Sequence, residues 1–158
     1  RIIAKNLGDF TSRLRELKEG ETVTVEGAYG LFHEKKTQTD EIWIAGGIGI
    51  TPFLGLAEEL KAEKKKKIDL YYSVKSHSEF VHLEELQKVA AASAHLRVFP
   101  WVSNEQGHLN IKEIEKRSGH LEGKRYYLCG PEGLKQSIKK ALLAVGVKDV
   151  ADERFAFK

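Results

Sequence analysis

The sequence predicts an α/β fold, a five-stranded parallel sheet with helices on both faces. From Glu41 onward, short apolar segments alternate with segments whose apolar residues recur at helical spacing. The connections are short, and strand–helix–strand units with right-handed crossovers make the strands parallel. Glycine-rich or polar residues follow each apolar segment, and these residues would meet at the carboxyl edge of the sheet, where ligands of such folds bind.

Each element rests on a local pattern. Five apolar or alternating segments have the length of strands, at residues 42–45, 68–74, 96–102, 126–129 and 150–155. Four segments have helical spacing, at residues 53–60, 80–90, 111–116 and 134–145. The last of these is the clearest amphipathic helix, with one apolar face formed by Leu134, Ile138, Ala141, Leu142 and Val145.

The first 36 residues have a different pattern and form a separate predicted unit. Thr11 is a candidate cap for a short helix over residues 12–18, with Leu14 and Leu17 facing inward. Residues 22–26 alternate as a strand does. A polar connector follows, so the predicted domains are residues 1–36 and 37–158.

Composition excludes several classes of protein. With 158 residues, a net charge of +3 and 31% charged residues, the chain suits one globular domain with an anionic small ligand rather than nucleic acid. A single cysteine excludes a disulfide framework and favours a reducing, cytoplasmic location. The six histidines include no i,i+4 pair, so no metal site is predicted. There is no methionine, not even at the start, which is typical of a segment trimmed from a longer protein.

The candidate ligand site begins at Gly46, Gly47 and Gly49, which follow the first apolar strand. Thr51 and Pro52 are suited to the N-cap and first position of a helix. Glycine allows close backbone approach, and a helix start favours a phosphate, so the segment predicts a dinucleotide site. The fingerprint is partial, because Pro52 stands where a third glycine is usual. A turn that serves packing alone is the competing interpretation.

Three further motifs extend this pattern over nearly the whole chain. In order, the motifs are GAYG (27–30), GGIGITP (46–52), CGPEG (129–133) and ERFAF (153–157). Together they resemble the ferredoxin–NADP reductase superfamily. Three other segments resemble its ferric-reductase and NADPH-oxidase-like branch: GDFT (8–11), YSVK (72–75) and VSNEQG (102–107).

This resemblance implies a nicotinamide domain that passes hydride to FAD and on to an electron acceptor. It implies that residues 1–36 are the last part of a β-barrel flavin domain of the same polypeptide, with a haem-bearing membrane domain upstream as a further partner in that branch. A non-catalytic nucleotide-binding regulatory module of the same fold is the competing interpretation.

The resemblance also assigns catalytic roles. Cys129 would lie beside the hydride-carrying ring carbon, Glu153 would position the nicotinamide, and Thr51 would touch the nicotinamide or flavin. Phe157 would shield the flavin ring. Simpler interpretations stay open at each position, namely a buried small residue, a strand-end acid, a helix cap and a frayed tail.

The remaining predicted contacts are to the nucleotide. Beside the glycine-rich turn, Gly130, Pro131 and Glu132 would bind it after the fourth strand. The adenosine end would meet the second and third strand ends, at Ser73, Lys75, Ser103 and Asn104. Because a 2′-phosphate needs cationic or hydroxyl donors and no acid directly follows the second strand, these residues favour NADPH over NADH. Asn104 stands where many superfamily members have arginine.

Overall fold

A computed structural model of the chain describes residues 2–26, 37–60 and 66–153. Within these residues five parallel strands form one sheet: β1 (Glu41–Gly46), β2 (Ile68–Val74), β3 (Leu96–Val102), β4 (Arg125–Cys129) and β5 (Val150–Asp152). The α-helices are α1 (Asp9–Arg13), α2 (Thr51–Glu58), α3 (Leu83–Ala91), α4 (Ser103–Gln106), α5 (Ile111–Ser118) and α6 (Glu132–Ala144). Short 3₁₀ turns lie at Leu14–Glu16, Gly47–Ile50 and His77–Glu79. The predicted fold class is confirmed.

The strand order is β3-β2-β1-β4-β5, which makes β1 the centre of the sheet. The chain runs outward from β1 to β3, then crosses back to the other side of β1 and continues outward through β4 to β5. The order therefore reverses between β1 and β4, and the helices that follow these two strands cover opposite faces.

Each face of the sheet has its own apolar core. On one face, Trp43 of β1 stacks on Phe53 of α2, with ring centroids 5.4 Å apart. On the other, Ile44 packs with Ile138 and Leu142 of α6. Every residue of β1 is buried, because the strand lies between two neighbours and under helices on both faces.

The amino-terminal edge of the sheet holds buried charge. Arg97 of β3 donates to both carboxylate oxygens of Asp69 in β2, at 2.7 and 2.6 Å. Asp69 is buried, whereas about half of the Arg97 side chain is exposed. This bidentate pair joins the two strands at the end of the sheet opposite to the predicted ligand site.

Three predictions for the first 36 residues are wrong. The helix begins at Asp9 rather than Ser12, and the Thr11 hydroxyl oxygen accepts from the Gly8 N–H at 3.1 Å instead of capping a later helix. Leu17 is 49% exposed and does not face a core. Residues 22–26 form no strand, because no described strand pairs with them and their valines are exposed. The GAYG turn and Phe157 lie outside the described residues.

Candidate functional site

The candidate site lies where the carboxyl ends of β1 and β4 meet. Ala45 of β1 is in register with Cys129 of β4, so the turns that begin at Gly46 and Gly130 are neighbours. The following helices leave on opposite faces, and the position outside the two turns, between the starts of these helices, is called the crevice below. In sheets of this kind the crevice at the reversal of strand order is where ligands bind.

Three of the predicted glycines let the two turns pack closely against each other. A Cβ on Gly49 would lie 2.3 Å from the carbonyl oxygen of Cys129. A Cβ on Gly130 would lie 2.8 Å from the Cα of Gly46, and one on Gly46 would lie 2.6 Å from Cδ of Pro131. Packing of the two turns is therefore enough to explain why these three positions are glycine.

Gly47 differs from the other three. Its φ is +54°, a left-handed conformation that side chains disfavour, and nothing lies within 4 Å of the Cβ position. The turn is therefore open to solvent at this residue, immediately before α2. The empty space leaves room for the backbone of the turn to approach a ligand closely.

The entry into α2 corrects one prediction. Thr51 is not an N-cap: the 3₁₀ turn of residues 47–50 leads directly into the helix, and the Thr51 hydroxyl donates to the Ile48 carbonyl at 2.8 Å. Pro52 lies in the first helical turn, where its missing N–H costs nothing. The hydroxyl oxygen of Thr51 keeps its capacity to accept a hydrogen bond, and the residue is half-buried at the crevice.

Cys129 is fully buried at the end of β4. Burial raises the pKa of its thiol to about 12, and the negative charge of Glu153 acts in the same direction. The sulfur is therefore a neutral thiol at physiological pH and not a nucleophile. The Cys129 side chain packs in the apolar core that contains Trp43 and Phe53, as the interpretation of a buried small residue expects, and its role beside the nicotinamide stays a prediction.

Glu153 follows β5 and lies beside the end of β4. Its N–H donates to the Leu128 carbonyl at 3.0 Å, and its own carbonyl accepts from Lys135 Nζ at 2.6 Å. Lys135 is 3% exposed, and the sequence analysis did not predict that it would contact a site residue. A signal existed, because Lys135 is spaced three and seven residues from Ile138 and Leu142 and so shares their apolar face.

The start of α6 carries the last of the turn residues. Gly130 is half-buried, and Pro131 and Glu132 are exposed. The Glu132 carboxylate accepts from Gln136 Nε2 at 2.5 Å and pairs with Lys135 at 3.0 Å. These contacts lower the pKa of Glu132, the Gln136 hydrogen bond most, so the carboxylate is ionised and held by its own helix.

The second and third strand ends are joined to each other. The Asn104 N–H donates to the Lys75 carbonyl at 3.2 Å, next to Ser103 at the start of α4. Ser73 is buried, whereas the Lys75 side chain is exposed.

The sequence has no acid directly after β2, but in the fold two carboxylates, those of Glu79 and Glu105, lie close to the end of that strand. The 3₁₀ turn at His77–Glu79 folds back so that the Glu79 carboxylate accepts from the Lys75 N–H at 3.1 Å. Glu105 of α4 lies 3.1 Å from His77 Nε2. A cleft of about 650 Å³ lies nearby, lined by His77, Phe80, His82, Leu83, Glu84, Glu85 and Lys88.

The described residues contain neither a metal cluster nor a membrane-spanning helix. In the parts of the chain that the structure describes, no group of three or more His, Cys, Asp or Glu side chains could hold a metal ion. Over the same residues, no helix is long and apolar enough to cross a membrane.

Comparison with known proteins gives a consistent result. A family model described as the oxidoreductase NAD-binding domain matches residues 43–140, more than half of the chain. The F component of the Na⁺-translocating NADH-quinone reductase of Neisseria meningitidis is 29% identical over 159 residues, and the Psychrobacter arcticus protein of the same name is 29% identical over 156. Each match covers 90% of this chain but 38% of the relative.

Solved structures share the fold. Ferredoxin–NADP⁺ reductase from Plasmodium falciparum superposes with a TM-score of 0.78 at 20% identity, covering 98% of this chain and 69% of that one. The cytochrome b5 reductase domain of Ulva prolifera nitrate reductase gives 0.77 at 21% identity, covering 92% and 64%. A flavohemoglobin from Malassezia yamatoensis, solved with bound FAD and heme, gives 0.78 at 20% identity, covering 98% and 43%.

Proposed function

The chain belongs to the oxidoreductase NAD-binding domain family, and from this premise we propose that it is the NAD(P)H-binding domain of a flavin-dependent oxidoreductase. Bound NAD(P)H and FAD would supply the hydride chemistry, and the residues of this chain would bind and orient the nucleotide. The observation that carries the proposal is the pairing of the two glycine turns at the point where the strand order reverses: Ala45 is in register with Cys129, and the turn after β1 has an open position at Gly47.

Each side of the crevice has a separate task in this proposal. The pyrophosphate would lie at the open Gly47 turn and the start of α2, where backbone N–H groups favour an anion. The nicotinamide would lie over the end of β4, against Cys129 and Gly130, with Glu153 beside it.

The flavin would come from a neighbouring domain of the same polypeptide. The chain spans 38% of the length of the curated relatives named above, and the flavohemoglobin neighbour was solved with bound FAD. Residues 2–26 carry exposed apolar side chains that such a domain would cover: Ile2, Leu7, Phe10, Leu17, Val23 and Val25. Residues 1–36 are therefore proposed as the last part of the flavin domain and residues 37–158 as the nucleotide domain.

The acceptor beyond the flavin is proposed from the sequence motifs. A ferric-reductase-like role, with a haem-bearing membrane domain elsewhere in the polypeptide, follows from the resemblance of residues 8–11, 72–75 and 102–107 to that branch. A cytoplasmic location is proposed as well, and the free thiol of Cys129 is compatible with it.

The two acids at the second and third strand ends shift the expected nucleotide preference toward NADH. Glu79 and Glu105 would repel a 2′-phosphate, whereas carboxylates accept hydrogen bonds from ribose hydroxyls. Lys75 and Ser103 act in the opposite direction. Calorimetry with both nucleotides measures the balance: NADH should bind more tightly, and Glu105→Gln should narrow the gap. Tighter binding of NADPH by the unmodified protein would contradict this step.

Stopped-flow reduction of the flavin in the FAD-loaded full-length protein tests the function itself. NADH or NADPH should bleach the flavin band, and an artificial electron acceptor should restore it. Nucleotide binding without bleaching would instead support a regulatory module. The 158-residue chain alone should bind nucleotide, purify without colour and lack diaphorase activity; a yellow protein would contradict the proposed domain boundary.

A further inference from the structure

Lys135 is a buried cation that the proposed function has not used. It lies on α6 between the site turn and the apolar core and is 3% exposed. Burying an ammonium group is unfavourable unless charged or hydrogen-bonding partners surround it. Its partners therefore show what the lysine holds in place.

Those partners come from both sides of the site. Lys135 Nζ donates to the Glu153 carbonyl at 2.6 Å and pairs with Glu132 at 3.0 Å and, more distantly, with Asp152 at 3.9 Å. Glu132 begins α6, immediately after the turn that follows Cys129. Asp152 and Glu153 are the end of β5 and the residue beyond it. One ammonium group thus joins two elements that border the crevice.

The main chain of Glu153 is held from two directions. Its N–H donates to the Leu128 carbonyl of β4 at 3.0 Å, and its carbonyl accepts from Lys135. With both peptide groups fixed, the direction of the Cα–Cβ bond of Glu153 is fixed as well, and the carboxylate lies near enough to Cys129 for its charge to raise the pKa of the thiol. The β4 contact alone would leave the following peptide free to rotate.

We propose that Lys135 is a positioning residue for hydride transfer, which holds Glu153 at the nicotinamide end of the crevice. The inference rests on the proposed function. Lys135 itself is buried beneath the turn and acts through Glu153.

Lys139 provides a matched control one helical turn away. Its Nζ pairs with Asp152 at 3.1 Å, closer than Lys135 does, but the Glu153 carbonyl is bonded by Lys135. Loss of Lys139 weakens the attachment of α6 to β5 and leaves Glu153 held. If the lysines only attach α6 to β5, loss of either one should slow flavin reduction to a similar extent. If Lys135 positions Glu153, only the loss of Lys135 should slow flavin reduction.

The test uses flavin reduction in the FAD-loaded full-length protein. Lys135→Met keeps the length of the side chain and removes the donor, and it should slow flavin reduction by about tenfold to a hundredfold, since a displacement near 1 Å costs that much. Binding of AMP, a probe of the adenosine half of the site, should change less than about twofold. Lys139→Met should reduce the flavin at nearly the wild-type rate.

A double variant separates positioning from stability. If Lys135 acts through Glu153, the Lys135→Met/Glu153→Gln variant should be no slower than the slower single variant, because effects on one path do not add. If Lys135→Met does not fold, Lys135→Gln keeps a donor for the carbonyl and should retain an intermediate rate. A wild-type rate in the folded Lys135 variant, equal losses for both lysines or additive losses would each overturn the inference. No flavin reduction by the wild-type protein would overturn the proposed function instead.

Discussion

Gly49→Ala should destabilise the protein by forcing the two site turns apart. The added Cβ would lie 2.3 Å from the Cys129 carbonyl oxygen and 2.7 Å from the Gly130 nitrogen. The first distance is about 1 Å short of an ordinary contact. Both atoms belong to the backbone at the end of a central strand, so no side-chain rotation relieves the clash.

The expected cost follows from that geometry. Overpacking a rigid site costs roughly 1–3 kcal/mol, and a backbone clash belongs at the upper end, about 3 kcal/mol. For a chain of this size the melting temperature should fall by about 6–12 °C. Nucleotide binding should weaken as well, because the displaced turn is the one that carries Gly47.

Gly55 is the matched control in the helix that follows. A Cβ at Gly55 would have nothing within 4 Å, and the residue lies inside α2. Gly55→Ala should therefore stabilise the protein by roughly 0.5–1 kcal/mol. Thermal and urea unfolding of both variants provides the measurement. If Gly49→Ala melts within about 2 °C of Gly55→Ala, close backbone packing of the turns does not explain the glycine.

Three other variants probe the site and the sheet. Gly47→Ala should cost about 1–2 kcal/mol for its positive φ and reduce nucleotide affinity by filling the open space, measured by unfolding and calorimetry; unchanged affinity would place the ligand elsewhere. The folded Cys129 thiol stays protonated up to about pH 12 while an unfolded thiol ionises near 9.0, so unfolding free energy should fall as pH rises above 9. Urea unfolding at several pH values above 9 measures this fall, and Cys129→Ala should make it smaller by up to about 1.4 kcal/mol per pH unit. If the unfolding free energies of the wild type and the variant fall equally steeply with pH, the thiol is not held neutral by burial. Arg97→Met should destabilise by about 1–3 kcal/mol by leaving Asp69 without its bidentate partner, yet leave nucleotide affinity unchanged; lost affinity would mean that the two edges are coupled.

The sequence by itself determined the sheet and the place of the site. Strands β1 to β4 begin and end within one residue of their predicted bounds, because each is an apolar run bounded by polar or glycine residues. The site turns at Gly46 and Cys129 followed, since carboxyl ends of parallel strands share one edge.

The tertiary structure decided which residues serve which purpose at that edge. Four glycines lie in the two site turns, and the sequence does not distinguish them. In the structure Gly46, Gly49 and Gly130 pack against the neighbouring turn, whereas Gly47 faces open space. That distinction depends on the distance between β1 and β4, which local pattern does not contain.

Contacts distant in sequence were also beyond prediction. Lys135 meets Glu153 18 residues later, and Glu105 meets His77 28 residues earlier, because the sheet brings separate strand ends together. For residues 22–26 the sequence predicted a strand that the structure does not have, since their alternation of apolar and polar residues is typical of one. A strand forms only where a partner strand supplies hydrogen bonds and another element covers its apolar face. The described part of the chain offers residues 22–26 neither.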